Sequence, residues 1–115
     1  MSRESGRMIL YGIRTCDRCR KAAKALAAAG HSLSFRDIRA EPLSAAERGR
    51  FIDAFAGKIV NRASATWRGL ADEQKAEPTG AQLAAHPTLM KRPVIDTGTE
   101  LLLGWGPDVQ DALLK

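Results

Sequence analysis

Residues 8–30 read MILYGIRTCDRCRKAAKALAAAG, which joins an apolar run, a loop with two cysteines and an alanine-rich segment. The apolar run, residues 8–11, is typical of a short buried strand. Residues 22–29 are dense in strong helix formers, and Gly30 is a suitable C-terminal stop. The sequence therefore predicts a strand, a tight loop and a helix, with Cys16 at the entrance of the helix.

The predicted position of Cys16 favours its ionised form. Free backbone N–H groups and the positive end of the helix dipole favour an anion at a helix entrance, and the thiolate is the reactive form of cysteine. Asp17 opposes this effect, whereas the basic neighbours strengthen it. These neighbours are Arg14, Arg18, Arg20, Lys21 and Lys24. We therefore expect Cys16 to be a nucleophile with a pKa below the usual ~8.5.

Cys19 follows three residues after Cys16, and residues at this spacing share one face of a helix. A disulfide between the two thiols is geometrically reasonable, and a CxxC pair between a strand and a helix is a redox arrangement. The alternatives are two buried, chemically silent cysteines or a zinc site. A structural zinc ion needs four ligands, and only His31 and His86 remain to complete the set, so no metal site is predicted.

The chain has the length of a single domain, 115 residues, and we expect that domain to cover residues 8–115. Residues 1–7 lack the apolar core of a signal peptide and are expected to be a disordered lead-in. No run approaches the ~18 consecutive apolar residues of a membrane span. We therefore expect a cytoplasmic protein, in which paired cysteines indicate catalysis, sensing or metal binding rather than a structural disulfide.

The charge balance favours anionic partners. The chain has 18 Lys and Arg residues against 13 Asp and Glu residues, a net charge of +5. Oxyanions, glutathione carboxylates and acidic protein faces would all be attracted. Because the chain has few aromatic residues and no continuous basic helix, we do not predict direct binding of nucleic acid.

The chain after the first helix continues the α/β pattern. Residues 33–37 alternate as a strand does, so the first strand, the helix and this strand should form a parallel, right-handed βαβ unit. His31, in the loop before this strand, is predicted to be a solvated turn residue. Ser44 and Glu47 fit a capping box at the start of a helix that ends at Gly57.

The middle of the chain predicts short helices, and its last quarter predicts a hairpin and a helix. Trp67 is expected in the core. Thr79 is expected to cap a helix that stops before Pro87. The predicted hairpin strands and final helix are residues 94–96, 101–103 and 107–114.

Several motifs, in this order and at this spacing, resemble the glutaredoxin-dependent arsenate reductases of the ArsC family and their Spx-like relatives. The motifs are the Cys16 loop with Arg20, Thr66-Trp67-Arg68, His86-Pro87, Lys91-Arg92-Pro93-Val94 and Leu103-Gly104-Trp105. Residues 16–22 and 41–44 are most similar to the Spx branch. The resemblance implies an α/β, thioredoxin-like fold: a βαβ unit, a helical insertion, a β-hairpin and a C-terminal helix around a small mixed four-stranded sheet.

The resemblance also implies the roles of site residues. Cys16 would be the nucleophile that attacks an oxyanion or a disulfide sulfur, and Arg92, just before a cis Pro93, would face it and hold an anion or the thiolate. Cys19 would complete the catalytic set. The implied substrate-binding residues are Arg14, Thr15, Arg20, Arg62 and Pro93.

The chain departs from the arsenate reductases in two ways. These enzymes surround the oxyanion with three arginines, of which Arg92 matches one and Arg62 approximately matches a second. Residues 104–106, Gly-Trp-Gly, stand where the third would be, which argues against a doubly charged oxyanion. Cys19, which those enzymes lack, indicates a protein that resolves its own oxidised Cys16 or senses oxidation.

Three functions follow as hypotheses. The first is a thiol-dependent reductase acting on arsenate or on a glutathione or protein disulfide, with glutathione or glutaredoxin as electron donor and no bound cofactor. The second is a Spx-like redox sensor that binds RNA polymerase through a Cys16–Cys19 switch. The third is a non-catalytic binding module of the same fold. We expect a monomer in the first case.

Overall fold

The computed structural model describes residues 7–114. The predicted lead-in over residues 1–7 therefore lies outside the described residues, except for Arg7, where the first strand begins. The strands are β1 (Arg7–Gly12), β2 (Ser32–Asp37), β3 (Val94–Asp96) and β4 (Leu101–Leu103). The helices are α1 (Asp17–Ala28), α2 (Ala45–Phe55), α3 (Ala65–Arg68), α4 (Asp72–Lys75), α5 (Thr79–Ala85) and α6 (Pro107–Leu114).

The four strands form one mixed sheet in the order β2-β1-β3-β4. Strands β1 and β2 are parallel, whereas β3 is antiparallel to both β1 and β4. The parallel pair is joined through α1, as its long crossover requires. The predicted βαβ unit, hairpin and mixed four-stranded sheet are confirmed.

The chain divides into two compact units. The first contains the sheet, α1 and α6, and the second, Arg39–Lys91, contains α2 to α5. The second unit is the predicted helical insertion, since it is inserted in the sequence between β2 and β3.

The core of the first unit forms between the sheet, α1 and α6. Its buried members are Met8, Leu10, Cys19, Ala22, Leu26, Ile95, Val109 and Leu113. Helix α1 buries Cys19, Ala22 and Leu26, a spacing that places them on one face. One of the two cysteines is therefore a core residue at the start of the helix that carries both.

Helix α2 confirms the predicted capping box. The Glu47 backbone N–H donates to Ser44 Oγ at 3.1 Å, and the Ser44 backbone N–H donates to Glu47 Oε1 at 2.8 Å. The predicted end at Gly57 is wrong, because α2 ends at Phe55 and Ala56 takes a φ of +52°. The chain turns early into a 3₁₀ turn, Ala56–Ile59, which buries Ile59 completely.

The predicted cap of α5 is also displaced by one residue. Pro78 is the N-cap, and Thr79 is the first helical residue. The Pro78 carbonyl accepts the Gln82 N–H at 3.1 Å. An extended proline supplies the entry to this helix without a side-chain cap.

Two side chains are found in surroundings that the sequence did not predict. His31 is half-buried, and its Nε2 donates to the Leu113 carbonyl at 2.7 Å, so the prediction of a solvated turn residue is wrong. Trp67 is half-buried rather than in the core. Its ring instead contacts two cations, with Arg62 Cζ at 5.3 Å and Lys75 Nζ at 5.9 Å from the ring centroid, as cation–π pairs do.

Candidate active site

The loop between β1 and α1 places Cys16 as the N-cap of α1. The Cys16 N–H donates to the Ile13 carbonyl at 2.9 Å, and the Arg20 N–H donates to the Cys16 carbonyl at 3.0 Å. Cys16 has extended backbone angles, φ −84° and ψ 120°. The predicted helix entrance is confirmed, and the thiol stands where free N–H groups of the first turn favour an anion.

A buried carboxylate at the end of β2 holds this loop. Asp37 is only 9% exposed, and its Oδ2 accepts the Arg14 backbone N–H at 3.0 Å. Asp37 alternates with Leu33 and Phe35 on one face of the predicted strand, and no role was predicted for it. An acidic residue on the apolar face of a strand was the signal that it accepts hydrogen bonds inside the fold.

Cys16 is a half-buried thiol with stabilising donors around it. Partial burial raises its pKa, but the backbone N–H and the thiol of Cys19 donate to it, and Arg92 adds both a hydrogen bond and a positive charge. The net effect lowers the pKa of Cys16. The predicted direction is confirmed, although the donors differ from the basic neighbours that the sequence indicated.

The pKa of Cys19 is shifted in the opposite direction. It is completely buried, and burial, followed by the hydrogen bond to Cys16 and the negative charge of that thiolate, raises its pKa to about 12. Both cysteines are reduced in this structure. The pair therefore consists of one thiol whose pKa is lowered and one whose pKa is raised.

Arg92 faces Cys16, as the resemblance implied. The Arg92–Pro93 peptide bond is cis, as was expected, and the buried Pro93 accepts the Gly104 N–H on its carbonyl at 2.8 Å. The Arg92 side chain hydrogen-bonds to Cys16 from this position. Its role in holding an anionic substrate stays a prediction.

The other predicted binding residues are less closely tied to the thiol. Arg20 forms an ion pair with Asp17 on the surface of α1. Arg14 lies over the Phe35 ring at 5.1 Å, beside a cavity of about 260 Å³ that Arg20 also lines. Thr15 is exposed in the turn before Cys16.

Arg62 belongs to the second unit. It stacks on Trp67 and lines a cavity of about 560 Å³ together with Lys58 and Lys91. A contribution of Arg62 to the binding of a substrate at Cys16 stays a prediction.

The region where a third arginine was missing contains a packed aromatic residue. Trp105 is half-buried and packs against the core of the first unit. Gly104 precedes it with a φ of +84°, a conformation that favours glycine. The segment therefore contributes to the packing of the first unit.

Residues 7–114 show neither a group of metal ligands nor a helix suited to span a membrane. No group of three or more His, Cys, Asp and Glu side chains among these residues is arranged to hold a metal ion. No described helix combines the length and the apolar composition that crossing a membrane would need.

The model of the ArsC family matches residues 11–113. The chain belongs to the ArsC family. A relative from Haemophilus influenzae, an uncharacterized protein, is 35% identical over 101 residues, which are 84% of this chain and 89% of the relative. The family that the motifs indicated is thus confirmed over nearly the whole chain.

Solved structures agree with the family and with its thioredoxin-like fold. The YffB protein is 31% identical and superimposes with a TM-score of 0.81, covering 94% of this chain and 99% of its own. An arsenate reductase (ArsC) related protein from Brucella melitensis is 30% identical with a TM-score of 0.72, covering 94% of each chain. The family match and these structures indicate that this ArsC-family chain is a reductase of the thiol-dependent kind.

Proposed function

We propose that this ArsC-family protein is a thiol-dependent reductase whose Cys16 thiolate attacks a disulfide sulfur, with glutathione mixed disulfides as the main substrate class. The observation that carries the proposal is the Cys16 thiol at the N-terminus of α1, with hydrogen bonds from Cys19 and Arg92. These donors stabilise the thiolate, which is the attacking species in thiol–disulfide exchange.

In the first step, Cys16 Sγ forms a bond to one sulfur of the substrate disulfide. The old sulfur–sulfur bond breaks, and its electron pair leaves on the other sulfur as a thiolate that takes a proton from water. Arg92 holds the anionic groups near the reacting sulfurs, because a guanidinium offers several N–H donors to a carboxylate. The product is a mixed disulfide on Cys16.

In the second step, Cys19 resolves that mixed disulfide. Burial, and in addition the neighbouring Cys16 thiolate, raise its pKa to about 12 in the reduced protein. Once Cys16 is in a disulfide, this negative charge and its hydrogen bond are gone, so the pKa of Cys19 falls. The resolving thiol is thus activated by the product of the first step.

Arsenate is the second candidate substrate class for the same thiolate. A packed Trp105 at the position of the expected third arginine favours a disulfide over a doubly charged oxyanion. Glutathione or glutaredoxin would return the pair to its dithiol form. These donors, the cytoplasmic location and the monomeric state stay predictions.

The test compares the wild type with Cys16→Ser and Cys19→Ser on a glutathionylated peptide and on arsenate, with glutathione and glutaredoxin supplied. The wild type should release reduced peptide, and Cys16→Ser should be inactive. In a single-turnover reaction without glutathione or glutaredoxin, Cys19→Ser should accumulate one glutathionyl group on Cys16 by mass spectrometry. Activity that survives in Cys16→Ser would overturn the proposal. Turnover of arsenate alone would select the other substrate class.

The hydrogen-bonded thiol pair also supports a redox sensor that binds RNA polymerase as a second candidate function, since oxidation of Cys16 and Cys19 would be a switch. Capture of purified polymerase by one redox state of the protein and not by the other would favour this function. Equal or absent capture in both states would exclude it.

A further inference from the structure

Gly12, the last residue of β1, lies directly against the buried sulfur of Cys19. A Cβ built on Gly12 would be 2.5 Å from Cys19 Sγ, 3.1 Å from Cys19 Cβ and 3.2 Å from Leu10 Cδ2. Real Cβ atoms essentially never approach another heavy atom within 3.0 Å. Any side chain at residue 12 would therefore displace the sulfur of Cys19.

The backbone at Gly12 does not itself require glycine. Gly12 is not among the described glycines with positive φ, which are Gly30, Gly98 and Gly104. It pairs with Asp37 in the parallel ladder, and its carbonyl accepts the Ile38 N–H at 2.9 Å. An alanine could adopt this extended backbone, so the space taken by the Cys19 sulfur is what excludes a side chain.

We propose that Gly12 is a positioning residue for the thiol pair: its missing side chain leaves the space in which Cys19 Sγ lies behind Cys16 and within hydrogen-bond reach of it. The inference rests on the proposed function, because it concerns the residue that lets Cys19 act as the resolving thiol. It adds to that function a role for Gly12 at the end of β1, where the absence of a side chain sets the position of the resolving sulfur.

The step that depends on this placement is the resolution of the mixed disulfide. Cys19 loses its proton to water, and its sulfur forms a bond to Cys16 Sγ. The bond between Cys16 Sγ and the glutathione sulfur breaks, and the electron pair leaves with glutathione as a thiolate. In this step the Cys19 sulfur passes from thiol to disulfide and the glutathione sulfur from disulfide to thiol. Over the two steps together, the cysteine pair is oxidised by two electrons and the two sulfurs of the substrate disulfide are reduced to thiols.

A side chain at residue 12 should impair this step without removing either thiol. A displacement of about 1 Å in a reacting group can cost on the order of a hundredfold in rate. Gly12→Ala should therefore slow the release of glutathione from Cys16 by about ten- to a hundredfold. It should also raise the pKa of Cys16, because Cys19 would no longer donate to the thiolate with the same geometry.

The experiment loads Cys16 with glutathione and follows its release by quenched mass spectrometry, and separately measures the alkylation rate of Cys16 against pH. The variants are the wild type, Gly12→Ala, Cys19→Ser and the control Gly49→Ala. A Cβ at Gly49, in α2, would meet nothing within 4 Å, so this control should match the wild type in both measurements. Gly12→Ala should approach Cys19→Ser in the first measurement.

The outcomes separate the two proposals. If Cys19→Ser traps glutathione while Gly12→Ala releases it as fast as the wild type, the role of Gly12 is wrong and the proposed function stands. If Cys19→Ser also releases glutathione at the wild-type rate, Cys19 is not the resolving thiol. The role of Gly12 and the second step of the proposed function are then both wrong. An unchanged Cys16 pKa in Gly12→Ala would likewise contradict the inference.

Thermal unfolding under reducing conditions covers the case in which Gly12→Ala folds poorly. The double variant Gly12→Ala/Cys19→Ala lacks the sulfur that lies 2.5 Å from the new Cβ. The loss of Tm caused by Gly12→Ala should therefore be smaller in the Cys19→Ala background than in the wild type. Equal losses in both backgrounds would show that the sulfur is not what the new side chain meets, and the inference would be wrong.

Discussion

The contact between Arg92 and Cys16 is the interaction from which most of the proposed chemistry follows. Arg92 lowers the pKa of Cys16 through a hydrogen bond and a positive charge. A charge-assisted hydrogen bond from Arg92 to a carboxylate of the ligand would contribute about 1.5–3 kcal/mol. The lower end applies because the site around Cys16 is only half-buried and solvent screens the charges. We therefore expect Arg92→Ala to raise the pKa of Cys16 and to weaken binding of glutathione disulfide by about tenfold.

This prediction is checked by the alkylation rate of Cys16 against pH and by a titration with glutathione disulfide in the Cys16→Ser background. Arg92→Lys should restore the charge but not the planar donor fork, and so should give partial recovery. Arg18→Ala is the matched control, since Arg18 is an exposed cation on the first turn of α1. If both variants change the Cys16 pKa equally, general surface charge rather than the Arg92 contact controls the thiol.

The pKa of Cys19 should depend on the state of Cys16. Burial is the largest cause of its value of about 12, but the hydrogen bond to Cys16 and the negative charge of that thiolate also raise it. In Cys16→Ser the thiolate is absent while the positive charge of Arg92 remains, so the pKa of Cys19 should fall. The measurement is the pH titration of the Cys19 ¹³Cβ chemical shift, and an unchanged titration would show that burial alone sets the value.

At the scale of elements, α6 is tied to the start of β2 through one side chain. His31 Nε2 donates to the carbonyl of Leu113 at 2.7 Å. A hydrogen bond of this kind contributes about 1 kcal/mol, so His31→Ala should lower the free energy of unfolding by about that amount in urea denaturation. His86→Ala serves as the histidine control. An equal loss of unfolding free energy in both variants would show that the hydrogen bond from His31 to Leu113 is not what stabilises the protein.

The sequence predicted those elements whose signals are local. Ser44 and Glu47 are three residues apart, and the entrance of α1 lies within one loop, so the capping box and the Cys16 position followed from short patterns. His31 could not be placed in this way, because its partner Leu113 is 82 residues distant along the chain. Its hydrogen bond is a product of tertiary packing.

The candidate site likewise has features that short sequence patterns predicted and features that they did not. The lowered pKa of Cys16 followed from its place at a helix entrance, whereas Arg92 entered only through the resemblance to a family. The partner of Asp37 and the role of Gly12 follow only from the folded structure. One depends on a hydrogen bond to a backbone N–H 23 residues away, and the other on a distance to the Cys19 sulfur.

At the scale of the whole molecule, the proposed chemistry lies within one compact unit. Cys16, Cys19 and Arg92 all belong to the unit that contains the sheet. The net charge of +5 would attract anionic glutathionyl groups over longer distances. The second unit supplies Arg62 in a cation-lined cavity, and its part in recognition stays a prediction.

The two thiols make opposite contributions to global stability as the pH changes. The lowered pKa of Cys16 means that the unfolded chain holds its proton to a higher pH than the folded chain does. Its stabilising contribution is therefore complete above the ordinary thiol value and is lost as the pH falls through the folded value. The raised pKa of Cys19 has the reverse sign, because the folded chain then holds its proton to a higher pH than the unfolded chain does.

The buried thiol should therefore make the reduced protein less stable in alkali. Above the ordinary thiol value of about 8.5 and below about 12, the unfolded chain releases the Cys19 proton and the folded chain keeps it. Over this interval Cys19 should lower the free energy of unfolding by about 1.4 kcal/mol for each pH unit. Urea denaturation between about pH 9 and 10.5, in the presence of a phosphine reductant, should show a steeper alkaline decline for the wild type than for Cys19→Ala. The other ionisable groups are common to both proteins, so their contributions cancel in the difference between the two curves. Parallel curves would mean that Cys19 ionises equally easily in the folded and unfolded chains, and its place as the protonated partner of Cys16 would be wrong.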